Sequence, residues 1–192
     1  MKNKSFLEKI TSISPLSEES QEALLSVVTS FSFKKNEIIL ENGQISDYFF
    51  YIEKGLVRMF YHKHDKEITE WIALEDEFFV SIGSFYQRTP SHLIEQAIEK
   101  SEIIGIPHDA FMELCAKYHD IETLHRKMIT TSLLLSQERV DSIQFETAHQ
   151  RYDALASKRP NIIQRVSLTY IASFLGITLE TLSRIRAKSN YN

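Results

Sequence analysis

The fold is decided near the C-terminus by residues 167–188, SLTYIASFLGITLETLSRIRAK. Ser167 is a favourable N-cap residue, and Ile171 and Phe174 follow at the spacing of one face of an amphipathic helix. Gly176 ends that helix, because glycine adopts the positive φ of a helix C-terminus without a steric cost. The stretch therefore predicts a short helix that ends in a tight turn.

A second short helix follows the turn. Thr178 is its predicted N-cap, and Glu180 lies in the first turn, where the helix dipole favours a negative charge. Leu182 and Ile185 form its buried side. Ala172 in the first helix is small enough to let the two helices approach, and Leu182 can lock the second helix against the first. This spacing is typical of a helix-turn-helix, although an ordinary helical hairpin has a similar local pattern.

The segment that contains this motif is basic in an acidic chain. Residues 158–192 hold six basic residues and one acidic residue, a net charge of +5, whereas the whole chain carries −4. A polar helix face within a locally basic segment fits the surface of a polyanion such as DNA. The charge therefore favours a DNA-binding motif over a plain hairpin.

Length and composition are those of a folded protein. The chain has 192 residues, of which 43% are hydrophobic and 25% charged, so it can form one large domain or two small ones. No apolar run approaches the roughly 18 residues of a membrane span, and residues 1–8 lack the apolar region of a signal peptide. The single cysteine, Cys115, leaves no cluster for iron–sulfur or structural zinc. We expect a cytoplasmic protein with no membrane contact, no metal and no other cofactor.

The middle of the chain has a β pattern. Residues 4–30 precede it with helical spacing, interrupted at Pro15. Eight short β-like runs then follow, separated by turn residues such as Asn42-Gly43. Their ranges are 31–33, 37–40, 48–52, 56–61, 68–73, 78–80, 92–98 and 102–106. So many short strands predict a roll, sandwich or barrel, and a roll of this size can enclose a small-molecule cavity.

A helical pattern returns after residue 107. Residues 110–116 predict a short helix, and residues 121–144 predict a longer one with an apolar heptad repeat. This helix can cover the edge of the roll or pack on a second copy of itself. A helix-turn-helix usually reads two half-sites related by two-fold symmetry, which favours the dimer. The expected dimer seam consists of Ile121, Leu124, Met128, Thr131 and Leu135.

The order of these parts resembles the cyclic AMP receptor and FNR (Crp/Fnr) family of transcription regulators. The resemblance covers essentially the whole chain and is strongest in residues 175–185, LGITLETLSRI, and 77–85, EFFVSIGSF. These resemble the family's recognition element and its phosphate-binding cassette. The resemblance implies a homodimer that binds double-stranded DNA at a pseudo-palindromic operator and contacts RNA polymerase.

The resemblance also implies an α+β fold in three parts. We expect a sensor-like β-roll with flanking helices at residues 1–118, of the cyclic nucleotide-binding type, a double-stranded β-helix. A long dimerisation helix at 119–146 and a helix-turn-helix domain at 147–192 should follow.

The cassette lacks the residues that bind a cyclic nucleotide in this family. Such members carry a Gly-Glu pair where this chain has Val80 and Ser81, and Arg followed by Ser or Thr where it has Ser91 and His92. A phosphate there would lose its charge-assisted partner, at a cost of several kcal/mol. Arg88 is the nearest substitute in sequence. We expect these five residues to line a degenerate effector pocket that does not respond to cyclic AMP, so any effector is an unknown small molecule.

The resemblance assigns the DNA contacts as well. Members generally continue past the recognition helix into a β-hairpin wing, but only four residues follow Lys188, so we expect no wing. Leu179 occupies a position where some relatives carry a base-reading arginine. Base readout therefore rests on Glu180, which can accept from cytosine N4, on Ser183, and on Arg184, which can bind guanine O6 and N7. The expected DNA contacts are Ser167, Thr178, Leu179, Glu180, Thr181, Ser183, Arg184, Arg186 and Lys188.

Two other functions fit parts of the sequence. His62 and His64 with Glu67 or Glu70 come close to the His-x-His and later Glu of cupin-like metal-dependent enzymes. Their spacing differs from that pattern, and the segment also fits a hairpin tip. The other alternative is a protein-interaction module whose basic C-terminal end meets an acidic partner. The resemblance favours a regulator that is not an enzyme over both.

Overall fold

The computed structural model describes residues 3–189, with side chains up to residue 187. The helices are α1 (Lys4–Ile13), α2 (Glu18–Val27), α3 (Ile82–Gln87), α4 (His108–Lys117), α5 (His119–Phe145), α6 (Ala148–Lys158), α7 (Pro160–Arg165), α8 (Leu168–Leu175) and α9 (Leu179–Ser189). The strands are β1 (Thr29–Phe33), β2 (Ile38–Leu40), β3 (Tyr48–Lys54), β4 (Val57–Lys63), β5 (Lys66–Ala73), β6 (Phe78–Phe79), β7 (Ile94–Ala97) and β8 (Ser101–Pro107). Within this part of the chain, no helix combines the length and the apolar character needed to cross a bilayer.

The strands form two four-stranded sheets. In the first sheet the strand order is β1-β8-β3-β6 and each neighbouring pair is antiparallel. The second sheet contains β2, β4, β5 and β7, with β2 antiparallel to β7. Each predicted β run overlaps one observed strand, so the expected α+β fold with an N-terminal β-roll is confirmed.

A glycine in the first sheet makes room for aromatic rings. Gly105 of β8 lies opposite Thr29 of β1 and Phe50 of β3. A Cβ atom on Gly105 would lie 2.8 Å from the Tyr48 ring and 2.9 Å from the Phe31 ring. The rings therefore pack directly on the β8 backbone, which a larger residue at this position would prevent.

The chain divides into two compact units. The roll unit comprises the chain up to Arg58 together with Ala73–Leu133, and the C-terminal unit comprises Met59–Ile72 together with the chain from Leu134 onward. The C-terminal unit thus contains most of the β4–β5 hairpin as well as α6 to α9. The boundaries expected from the sequence, at residues 118 and 146, assign this hairpin to the roll instead. Hydrogen bonds between the hairpin and α8, given below, explain its place in the C-terminal unit.

The core of the roll unit is aromatic. The Phe49 ring lies 5.8 Å from Phe85 and 6.0 Å from Phe111, centroid to centroid. Phe6 of α1 contacts Tyr51 of β3 at 5.5 Å. These edge-on contacts contribute about 0.5–1.5 kcal/mol per pair beyond the area that they bury. They hold α1, α3 and α4 against the first sheet.

Helix α5 is continuous, but its two ends have different surroundings. Ile121, Leu124 and Met128 are at most 4% exposed and belong to the core of the roll unit. Thr131 and Leu135 are exposed. The chain itself therefore covers the first three residues of the expected dimer seam in a single copy, and the seam stays a prediction. The large apolar residues that α5 leaves exposed lie further along: Leu133, Leu134, Leu135, Val140, Ile143 and Phe145.

Candidate functional site

Helices α8 and α9 form the predicted helix-turn-helix. The Ser167 hydroxyl accepts a hydrogen bond from the Tyr170 backbone N–H at 3.3 Å and caps α8. Gly176 ends α8 in the left-handed conformation, with φ of 68°. The Thr178 hydroxyl accepts from the Thr181 backbone N–H at 3.2 Å and caps α9. These three helix ends therefore occur where the sequence predicts them, for the expected reason.

The two helices bury their inner faces and leave the outer face of α9 exposed. Ile171 of α8 and Leu182 of α9 are fully buried. Glu180, Ser183 and Arg184 are exposed together on α9. A short helix with a buried apolar side and an exposed polar side has the form that enters a major groove in helix-turn-helix proteins.

The other expected DNA contacts differ in their exposure. Three of them are exposed: Ser167, Thr178 and Leu179. Two are half-buried: Thr181 and Arg186. The side chain of Lys188 and the final residues 190–192, where a wing would begin, lie outside the part of the chain that the structure describes.

The carboxyl group of Glu180 remains ionised at the start of α9. Its pKa lies below the usual value because its own backbone N–H and the Thr178 hydroxyl donate hydrogen bonds to the carboxylate. The positive charge of Arg184 lowers the pKa further. An exposed carboxylate accepts hydrogen bonds only, and Arg184 only donates them. The outer face of α9 therefore offers one acceptor and one donor of the types that read base edges.

The β4–β5 hairpin contacts α8 through Ser173, a residue that the sequence analysis missed. The Ser173 hydroxyl accepts from the Thr69 backbone N–H at 2.8 Å and donates to the Glu67 carbonyl at 3.0 Å. Nearby, the Trp71 ring lies 6.1 Å from the Phe174 ring in an edge-on contact. The first helix of the motif is thus joined to a strand backbone that lies about 100 residues earlier in the chain.

Two arginines bind the C-terminal end of α8. Arg139 of α5 donates to the Phe174 carbonyl at 2.9 Å, and its guanidinium lies 4.3 Å from the centre of the Phe174 ring. Arg151 of α6 donates to the Leu175 carbonyl at 2.9 Å. The last carbonyls of a helix have no partner within the helix and carry its negative dipole end, so cations stabilise them. Neither arginine belongs to a recognisable motif, so no sequence pattern indicated this role.

An open cleft of about 520 Å³ lies within the C-terminal unit. Its apolar lining includes Trp71, Ile143 and Phe145, and its charged lining includes residues of both signs. Arg139 and Arg151 line it but donate to the carbonyls of α8. These two arginines of the cleft thus position the helix-turn-helix.

The cassette residues lie in the roll unit around the short helix α3. The Ser81 hydroxyl, just before α3, lies 2.8 Å from the Ser91 hydroxyl, and both residues are buried. Val80 is buried beside them, whereas His92 is exposed. The two positions at which the resemblance implies a ribose-binding glutamate and a phosphate-binding arginine are therefore in contact, and both carry a neutral hydroxyl.

Arg88 is bound by the residues that precede β3. Its guanidinium donates to the Ser46 carbonyl at 2.8 Å and pairs with the Asp47 carboxylate. A phosphate would have to compete with this carboxylate for the same donors. The structure thus gives Arg88 a local role that weakens the case for it as a substitute phosphate ligand.

A buried carboxyl that the sequence analysis missed lies next to the serine pair. Glu95 of β7 is 0% exposed, and neither of its carboxyl oxygens accepts a hydrogen bond from any residue that the structure describes. Burial raises the pKa of Glu95 to about 8, and the neighbouring Ser81 backbone N–H opposes this shift. That N–H faces the carboxyl group but does not meet the distance and angle of a hydrogen bond.

The histidines that suggested a metal site lie at the tip of the β4–β5 hairpin. His64 and Asp65 adopt positive φ of 46° and 59°, as a two-residue hairpin turn of type I′ requires. His62, His64 and Glu67 are all exposed. Over the described residues, no group of three or more His, Cys, Asp or Glu side chains is placed to hold a metal ion.

Comparisons with known proteins identify the fold. Residues 30–118 match the family model of the cyclic nucleotide-binding domain. No curated protein sequence matches the chain. Among solved structures the chain is similar to FixK2 from Bradyrhizobium japonicum, with a TM-score of 0.71 and 21% identity over 86% of this chain and 85% of that chain.

Two further structures are similar over most of their length. One is the c-di-GMP responsive global regulator CLP of Xanthomonas campestris, with a TM-score of 0.70 and 17% identity over 91% of this chain and 92% of that chain. The other is a protein from Eubacterium rectale assigned to the Crp/Fnr family, with a TM-score of 0.69 and 15% identity over 88% and 82%. At these identities the likeness establishes a shared fold.

Proposed function

We propose that this chain is a sequence-specific DNA-binding transcription regulator. Its residues 30–118 match the family model of the cyclic nucleotide-binding domain, and its fold is similar to that of solved Crp/Fnr regulators. The observation that carries the proposal is the outer face of α9, where Glu180, Ser183 and Arg184 are exposed while Leu182 is buried. The relatives named as regulators support it. No catalytic group is part of this proposal.

The residues of the motif have different roles in the proposed complex. Arg184 reads base edges, because an arginine on the exposed face of a recognition helix can bind guanine through two hydrogen bonds. Arg186, Lys188 and the helix caps at Ser167 and Thr178 contact phosphates, which position the protein without reading the sequence.

The protein acts as a homodimer through the distal half of α5. Leu133 is 68% exposed and Val140 is 45% exposed, and they lie seven residues apart on one side of the helix. A long helix that exposes such a stripe in a single chain can bury it against a second copy by two-fold symmetry. This stripe replaces the seam expected from the sequence, and two subunits would read the two halves of a pseudo-palindromic operator while contacting RNA polymerase.

The roll unit does not respond to cyclic AMP in this proposal. The hydroxyls of Ser81 and Ser91 bond to each other, and the buried Glu95 carboxyl lies beside them. An anionic phosphate at this place would meet an acceptor group and no paired cation.

Competition binding tests the DNA proposal. The protein is first used to select operator fragments from genomic DNA, and Arg184→Ala is then compared with Arg186→Ala on an operator and on random DNA. Arg184→Ala should weaken operator binding by about 1–3 kcal/mol, which is about 5- to 150-fold, with a smaller loss on random DNA. Arg186→Ala should weaken both DNAs alike.

Two outcomes would contradict this assignment. Equal losses on both DNAs for Arg184→Ala would make it a phosphate contact, and base readout would have to lie elsewhere. Failure of the folded wild-type protein to select any fragment would contradict DNA recognition itself. Lys35→Ala, an exposed lysine of the roll unit, is the control for a general loss of positive charge.

A further inference from the structure

The roll unit contains buried polar atoms that its own fold leaves unpaired. Both carboxyl oxygens of Glu95 and the hydroxyl oxygen of Ser46 are buried without a hydrogen-bond partner among the described residues. Ser91 links the two sites. Its hydroxyl contacts Ser81, which lies against Glu95, and its backbone N–H donates to the Gln44 carbonyl at 2.8 Å, two residues before Ser46.

A purely structural role does not account for the Glu95 carboxyl. A buried polar group without partners opposes folding, and a carboxyl group opposes it more than a hydroxyl. Arg58 is also fully buried in the described part of the roll unit, but it has interactions of its own and donates no hydrogen bond to Glu95. A group from outside the chain that donates hydrogen bonds would satisfy these oxygens.

We propose that Glu95, with the hydroxyl pair of Ser81 and Ser91, forms a binding site for a small primary amine in its ammonium form. A carboxylate accepts hydrogen bonds through two oxygens and pairs with a cation, and an ammonium group supplies three N–H donors. The Ser81 hydroxyl can accept the remaining donor, whereas the Ser91 hydroxyl, which already accepts from the Leu93 N–H at 2.9 Å and donates to the Leu93 carbonyl at 3.0 Å, holds Ser81 in place. Because Glu95 is fully enclosed by the protein, the cationic end of the ligand must be compact.

The amine would be the ligand of the roll unit, the sensor part of the proposed regulator, and its binding can be measured without DNA. The Glu95 carboxyl lies beside Ser81, so this site offers a cation a partner and offers the phosphate of a cyclic nucleotide none. An amine would thus be selected over an anionic ligand by the same residues that disfavour the phosphate.

Thermal unfolding with methylammonium chloride as the probe tests the site, with sodium chloride at equal ionic strength as the reference. The wild-type Tm should rise by about 3–6 °C at ten times the dissociation constant. Glu95→Gln should lose this response, because it removes the negative charge while keeping the shape of the side chain. Glu113→Gln, which removes an exposed carboxylate from α4, is the matched control and should respond like the wild type.

A second variant tests the premise that the carboxyl is unpaired without ligand. Glu95→Met keeps the volume and removes the polar atoms, so the ligand-free Tm should rise. A wild-type Tm that does not respond to methylammonium, or that rises equally in Glu95→Gln, overturns the proposal. A clear fall in Tm for Glu95→Met overturns its premise. Operator binding by Glu95→Gln is measured separately, so that failure of the amine site and failure of DNA recognition are distinguishable.

Discussion

Replacing Ser173 by alanine should destabilise the C-terminal unit by removing the bonds between α8 and the β4–β5 hairpin. Ser173 makes two hydrogen bonds, at 2.8 Å from the Thr69 N–H and at 3.0 Å to the Glu67 carbonyl. Each contributes about 0.5–1.5 kcal/mol net, and Thr69 is fully buried, so water cannot readily replace its lost acceptor. The higher helix propensity of alanine offsets about 0.5 kcal/mol. We expect a net loss of about 1–2 kcal/mol.

Ser183→Ala is the matched control, because Ser183 is exposed on the neighbouring helix α9. It gains the same helix propensity without losing a contact to the hairpin, so its stability should be unchanged or slightly higher. The difference between the two variants therefore isolates the two hydrogen bonds of Ser173.

Urea unfolding monitored by tryptophan fluorescence measures the effect. Trp71 is the only tryptophan in the chain and packs near Phe174, so its emission reports on the C-terminal unit. The protein concentration must be kept constant, since dimerisation would shift the transition. A lower midpoint for Ser173→Ala with an unchanged slope is the expected result. Equal midpoints for Ser173→Ala and Ser183→Ala would refute the idea that this serine anchors α8.

Two further results are expected. Light scattering should give about twice the chain mass of 22.4 kDa for the wild type, and a monomeric wild type would contradict the dimer. The double variant Leu133→Glu with Val140→Glu should have the mass of a monomer, whereas the control Gln137→Glu on the same helix should remain a dimer. Calorimetry should detect no tight binding of cyclic AMP or cyclic GMP, since Ser81 and Ser91 bring no cation to the phosphate; a dissociation constant in the low micromolar range would instead implicate Arg88.

Much of the fold could be predicted because its signals are local. Alternating short runs and turn residues located every strand, and the caps Ser167 and Thr178 with Gly176 located the helix-turn-helix. Helices α3 and α7 are only six residues long each, too short to show a helical period in the sequence. Pro160 is the first residue of α7, a position that proline favours because a backbone N–H there would have no partner within the helix.

The buried carboxyl could have been recognised from its strand. Glu95 and Ala97 alternate along β7 and so share one face of the strand, Leu93 continues this alternation just before the strand, and both Leu93 and Ala97 are buried. A glutamate between two core residues on the same face is the signal. In contrast, nothing local indicates that Arg139 and Arg151 reach the carbonyls of α8, because that contact depends on the packing of separate helices.

The heptad pattern of α5 shows why periodicity alone could not assign the dimer interface. A repeat of apolar residues shows that a face is covered, but not whether the same chain or a second one covers it. The structure assigns Ile121, Leu124 and Met128 to the chain's own core. The exposed stripe at Leu133 and Val140 lies on the same half of the helix as Arg139, which binds the end of α8.

One half-helix therefore carries both the proposed dimer contact and a contact that orients the motif. If two copies pair along this half of α5, Arg139 in each copy holds α8 of the same chain to α5 through its hydrogen bond to the Phe174 carbonyl. The spacing of the two recognition helices would then be set by a few side chains within about two turns of α5. Arg139→Met should consequently weaken operator binding more than it weakens dimerisation, because it releases α8 while leaving the apolar stripe intact. Light scattering and competition binding on the same variant would separate these effects, and an equal loss of both would show that the arginine supports the dimer instead.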